Sequence, residues 1–131
     1  MAVKINLENK SLIPVEFGEL SFSVDVSDRG KEHLISLVDK YDKETDGVDL
    51  EVTDQESYMK AVEVMKSVLE KVYDDLFGAG SFKKIYDKYP DVILLSGSFV
   101  EVCEGVITEY DKRTGKEKMD KYLNQKQRKS K

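Results

Sequence analysis

Three places in the chain combine residue types that could do chemistry. The first is "DDLFGAGSFKKIY" at residues 74–86, where Gly78 and Gly80 stand just ahead of Lys83 and Lys84. Freed backbone amides followed by a lysine are the ingredients of a phosphate-cradling loop. The spacing does not comply. A Walker loop needs Gly-x-x-x-x-Gly-Lys-Ser/Thr after a buried strand; here no Ser or Thr follows the lysines, and the pattern ahead is helical. The dinucleotide fingerprint fails as well, because Lys83 stands where its third glycine belongs. The expectation is a joint between helices: Gly78 just past one helix end in a left-handed conformation, and Ser81 capping the next helix.

The second place is "DKETDG" at 42–47. Asp42, Glu44, Asp46 and Gly47 match positions 1, 3, 5 and 6 of an EF-hand loop. Position 8 should be apolar and is Asp49; position 12 should be a chelating glutamate and is Thr53. An acidic, solvated helix connection is therefore expected. The third is the pair Cys103 and His33, the chain's single cysteine and single histidine. Cys103 stands beside Val102 and Val106 on an apolar stripe, where a thiol is inert, since reactivity needs a basic or polar neighbourhood. One histidine cannot cluster around zinc, and His33 reads as exposed. No catalytic residue, cofactor or metal is expected.

The elements that must position these groups follow from periodicity. "ELSFSVDV" alternates, with Leu20, Phe22, Val24 and Val26 on one face and Glu19, Ser21, Ser23 and Asp25 on the other, the mark of a half-buried strand. "LIPVEF" and "VKINL" are weaker strand candidates, so a small antiparallel hairpin or three-stranded meander is expected. From Ser27 the period becomes helical, with Ser27 or Asp28 as cap and Leu34, Ile35, Leu37, Val38 and Tyr41 at helical spacing. Thr53 and Glu56 form a capping box ahead of the most regular pattern in the chain. Tyr58, Val62, Met65, Leu69, Val72 and Leu76 recur at alternating steps of four and three, a heptad seam that must pack on another helix, in the same chain or in a second copy. After Pro90, Val92, Leu95, Phe99, Val102, Cys103, Val106 and Tyr110 form a final stripe, with Gly97, Ser98 and Gly105 small enough to admit a neighbouring helix. The fold class expected is α+β: an N-terminal hairpin or meander followed by about four helices.

Composition bounds the rest. A chain of 131 residues, 40% hydrophobic and 36% charged, suits one domain with a core and a broad solvated surface. A lone cysteine excludes an internal disulfide and points to a reducing compartment. No apolar run approaches membrane-spanning length, and the N-terminus lacks the apolar core of a signal peptide, so a cytoplasmic protein with no membrane role is expected. Charge is divided unevenly. Residues 112–131 hold nine basic and two acidic side chains, whereas the preceding 111 hold 12 and 24. This separates a single domain, 1–111, from a basic tail, 112–131, expected to be mobile. Such a body repels nucleic acid, leaving only the tail, with Lys126, Arg128 and Lys129, for phosphates or an acidic partner.

In its combination of a β-rich start, an acidic helical body and the helix–Gly-x-Gly–helix stretch, the chain resembles the tail-assembly chaperones of long-tailed phages and prophages of Gram-positive bacteria. Leu76, Phe77, Gly78, Gly80, Lys84, Ile85 and Tyr86 carry the resemblance, which covers mainly residues 54–110. It implies a non-enzymatic protein of the bacterial host cytoplasm, absent from the mature virion. Such a protein binds the tape-measure protein and helps tail-tube protein assemble around it. Tyr58, Val62, Met65, Leu69, Val72 and Leu76, with Lys126, Arg128 and Lys129, are the candidate contacts to a client or, in a homo-oligomer, to another copy. The alternative is a small nucleic-acid-associated regulator using the basic tail. A small hydrolase would require Cys103 and His33 to meet in a polar pocket.

Overall fold

The computed structural model describes residues 1–116 and 119–123. The architecture is α+β. A two-stranded antiparallel hairpin, β1 (Leu12–Phe17) and β2 (Leu20–Asp25), is followed by α1 (Asp28–Thr45), α2 (Gln55–Phe77), α3 (Ser81–Lys88) and α4 (Val92–Thr114). Residues 119–123 are also helical.

The hairpin's register runs from Phe17↔Leu20 to Leu12↔Asp25. That places Ile13, Val15 and Phe17 on the same face as Val24, Phe22 and Leu20, and this face packs on the helices. "VKINL" forms no strand; the chain turns at residues 8–11 and Val3, Ile5 and Leu7 are exposed. The edge of β1 explains why the third strand is missing. Pro14 has no amide to donate, and the Leu12 carbonyl accepts from Arg113 Nη1 at 3.1 Å. Too few edge groups remain to hold a ladder.

Helix α1 starts as its sequence dictates, with the Ser27 hydroxyl accepting from the Gly30 amide. Only glycine fits at 30, because a Cβ there would collide with the Asp25 carbonyl at the end of β2. The cap of α2 is one residue later than the capping box predicts. Asp54, not Thr53, is the N-cap, its carboxylate accepting from Ser57 N at 2.9 Å. That hydrogen bond holds the Asp54 carboxyl below the usual carboxylate range. Helix α4 is capped by Asp91, which accepts from the Leu94 amide.

The core gathers Ile13, Val24 and Val26 from the hairpin side, Leu34 and Leu37 from α1, and the inward stripes of α2 and α4. Every residue of the expected α4 stripe from Val92 to Val106 is buried, with Tyr110 half-buried at its end. Helix α4 also runs past the expected domain boundary at 111 to Thr114, where Gly115 ends it in a left-handed turn. Arg113 thus belongs to the body, hydrogen-bonded to the carbonyls of Asn9 and Leu12.

Candidate protein-binding site

The heptad seam of α2 closes inside the molecule. Met65, Leu69 and Val72 are buried core residues, so these three cannot serve as a free partner surface in this fold. Val62 and Leu76 are half-buried against the core, and Tyr58 is exposed near the helix start. The seam therefore explains cohesion of the body; of its six members only Tyr58 is open enough to meet another molecule without rearrangement. Lys126, Arg128 and Lys129 lie outside the described residues.

The residue that organises the core was not on the seam. Tyr73 is fully buried, its ring within 6.1 Å, centroid to centroid, of Phe17, Phe77, Phe82 and Phe99. Its hydroxyl donates to the Leu95 carbonyl at 2.7 Å, which satisfies the polar end of a buried ring. Burial pushes its pKa above the ordinary tyrosine range, with the nearby Cys103, Tyr41 and Glu101 adding to the effect. A signal existed in the sequence, since Tyr73 is four residues from Leu69 and eight from Met65 and so widens the stripe by one position.

The helix joint at residues 74–86 is built by backbone geometry. Gly78 ends α2 at φ +112, ψ 157, a region open in practice to glycine alone and distinct from the left-handed helical conformation expected there. Gly80 is the left-handed residue, at φ +84, ψ −4. Ser81 does not cap α3. It is the first helical residue and is buried, and the carboxylate of Asp74 takes over by accepting from the Phe82 amide at 2.9 Å. Phe82 and Ile85 point into the core, while Lys83 and Lys84 are exposed and converge on no cradle. The joint positions helices.

Cys103 and His33 do not meet. Cys103 is buried between α1 and α4, where burial above all, and then Glu104, pushes its thiol up to about 11. His33 is exposed on the other side of α1, with Nε2 3.2 Å from the Asp75 carbonyl that accepts its proton. Asp42, Glu44, Asp46 and Gly47 form the end of α1 and the turn after it. Among the described residues no three His, Cys, Asp or Glu side chains are grouped to hold a metal ion.

What the surface does offer is apolar relief along α4. On one flank, β1 and α4 enclose a groove of about 490 Å³ floored by Ile13, Val15, Val102 and Val106 and edged by Glu16, Glu101, Glu109 and Arg113. On the other, α1 and α4 enclose one of about 860 Å³ lined by Ile35, Val38, Val100, Cys103 and Ile107. Gly97 and Gly105 were expected to admit a neighbouring helix. No neighbouring element comes within 4 Å of where a Cβ would stand at either, because both are exposed, Gly105 at the β1–α4 groove. Ile93 and Leu94 are exposed at the start of the same helix. Among the described residues no helix is long and apolar enough to cross a membrane.

A hairpin lying on a helical body with open apolar grooves defines a small α+β protein. Residues 19–131 match a family of unknown function, DUF6673, and the chain belongs to it. No curated protein and no solved structure matches the chain.

Proposed function

We propose that this protein is a non-enzymatic assembly chaperone for a long-tailed phage or prophage, binding the tape-measure protein and aiding assembly of the tail tube. One observation carries the reading: an acidic helical body leaves large apolar side chains at its surface, including Met59 and Val64 on α2 and Ile93, Leu94 and Val100 on α4. Apolar helix faces can cover the apolar stripe of a long helical client, while the surplus of carboxylates keeps the complex dispersed. The resemblance carried by Leu76, Phe77, Gly78, Gly80, Lys84, Ile85 and Tyr86 supports the same reading. The structure gives these residues an architectural role at the α2–α3 joint.

Co-expression with a long coiled-coil tape-measure protein tests the proposal. The expected result is a soluble complex that survives purification and is weakened when Ile93 and Leu94 are both replaced by lysine. Recovery of no tail protein under those conditions would sink it. The charge balance of residues 112–131 favours a second reading, a regulator that touches nucleic acid through the tail. That reading predicts DNA or RNA binding that falls steeply with salt and vanishes when those residues are removed.

A further inference from the structure

The groove between α1 and α4 is apolar at its floor and acidic at its rim. Ile35 and Val100 face it 69% and 44% exposed, with Val38 and Ile107 half-buried beside them. Its charged lining residues are Asp39, Asp42, Glu104 and Lys31. Lys31 is drawn aside, its Nζ 4.4 Å from the centre of the Tyr110 ring, and Asp39 is paired with Lys43 at 3.0 Å. Among the described residues Asp42 and Glu104 form no ion pair, so the rim presents negative charge.

The chain carries a segment of complementary character. After Gly115 the helical residues 119–123 hold Met119, Tyr122 and Leu123, at spacing i, i+3, i+4, and all three are exposed at 56%, 63% and 47%. Three large, exposed side chains on one helical face have the spacing of the anchors of a helix-in-groove contact. The stretch is basic on balance: Lys116, Lys118 and Lys121 stand against Glu117 and Asp120, Lys116 being 3.9 Å from Asp111, and 124–131 hold four basic residues and no acid.

We propose that this segment seats Met119, Tyr122 and Leu123 in the α1–α4 groove of a second copy of the chain, with its lysines against Asp42 and Glu104. Met119, Tyr122 and Leu123 are exposed and none of them lines the chain's own groove, so the segment is offered to a second copy. Each copy has one segment and one groove, so reciprocal exchange gives a closed pair and head-to-tail exchange a ring or filament. This inference does not rest on the chaperone reading.

Sedimentation and light scattering of the full chain, at low and high salt, test it. The expected result is a species heavier than the 15.0 kDa monomer, with association weakened about tenfold or more as salt screens the rim. Ile35→Glu in the groove, and Tyr122→Asp with Leu123→Asp in the segment, each yield a monomer. All three positions are exposed, so the thermal unfolding midpoint of the monomer serves as a folding control; Val100→Glu is the second groove variant should Ile35→Glu misfold. Mixing the groove variant with the segment variant restores a one-to-one complex, because one copy retains a segment and the other a groove. A wild-type chain that stays monomeric at hundreds of micromolar overturns the proposal. So does association that these substitutions leave unchanged, or a mixture that stays monomeric.

Discussion

Helix α4 has two apolar flanks with opposite fates. Toward α2 it meets aromatic rings: Phe17, Phe77, Phe82 and Phe99 surround Tyr73, and Phe22 stacks on Phe77 with centroids 4.6 Å apart. Toward α1 a single ring contact, Tyr41 on Phe99 at 5.1 Å, stands beside the shorter Val38 and Ile35, and the space stays open. Hydrophobicity alone does not separate the two flanks. Volume does, because rings of 150–250 Å² fill the gap between diverging elements and β-branched aliphatics do not. The filled flank fixes the fold; the other keeps a groove of about 860 Å³.

The strongest way to break this contrast is Tyr73→Ala. It removes the central ring and leaves a cavity among four aromatic neighbours, so urea denaturation should show a loss of about 3–5 kcal/mol. A loss under about 1 kcal/mol would mean that the filled flank is no better packed than the open one. Cys103 sharpens the comparison from the groove floor. A thiol pushed up to about 11 from an ordinary 9.0 carries roughly 100-fold less thiolate at pH 8. Alkylation by iodoacetamide should be slower by about that factor in native protein than in urea. The same raised value means that the protonated thiol favours the native state. Its contribution is full below pH 9 and is lost as pH rises from there through about 11. Cys103→Ala should flatten the stability profile over that window.

A smaller effect tests the element that carries Tyr73. Asp54→Ala should cost about 1 kcal/mol through loss of the α2 cap, whereas Thr53→Ala should stay within about 0.5 kcal/mol. Equal losses would mean that the two side chains share the cap. The smallest effect belongs to the open flank: Ile35→Lys should shift stability by no more than about 0.5 kcal/mol. A larger loss would show that the groove is part of the core.

These contrasts explain what was legible beforehand. The α4 stripe and the alternation in β2 could be read because each is one periodic signal facing one core. Met65, Leu69 and Val72 were likewise readable as buried on α2, yet the pattern could not say whether the partner lay in the same chain; Tyr73, one step outside strict heptad spacing, escaped it. Caps were less legible where two good acceptors adjoin, as Thr53 and Asp54 do, or where a carboxylate seven residues upstream, Asp74, supplies the cap for α3. "VKINL" has a strand's pattern, but the donor it would need is absent at Pro14 and the Leu12 carbonyl is occupied by Arg113. The grooves left no signal at all. They depend on how α4 diverges from β1 and from α1, which no local pattern encodes.

The contact between Arg113 and the backbone at Asn9 and Leu12 spans more than a hundred residues. It has a consequence for the order of events during synthesis. The hairpin emerges from the ribosome before the helices, yet Arg113, which holds its edge, lies near the end of α4, which follows the other three helices α1–α3. A two-stranded hairpin is marginal by itself in water. The hairpin is therefore secured long after it is made, and a chain interrupted ahead of α4 would leave the Tyr73 hydroxyl without its acceptor and its ring without Phe99.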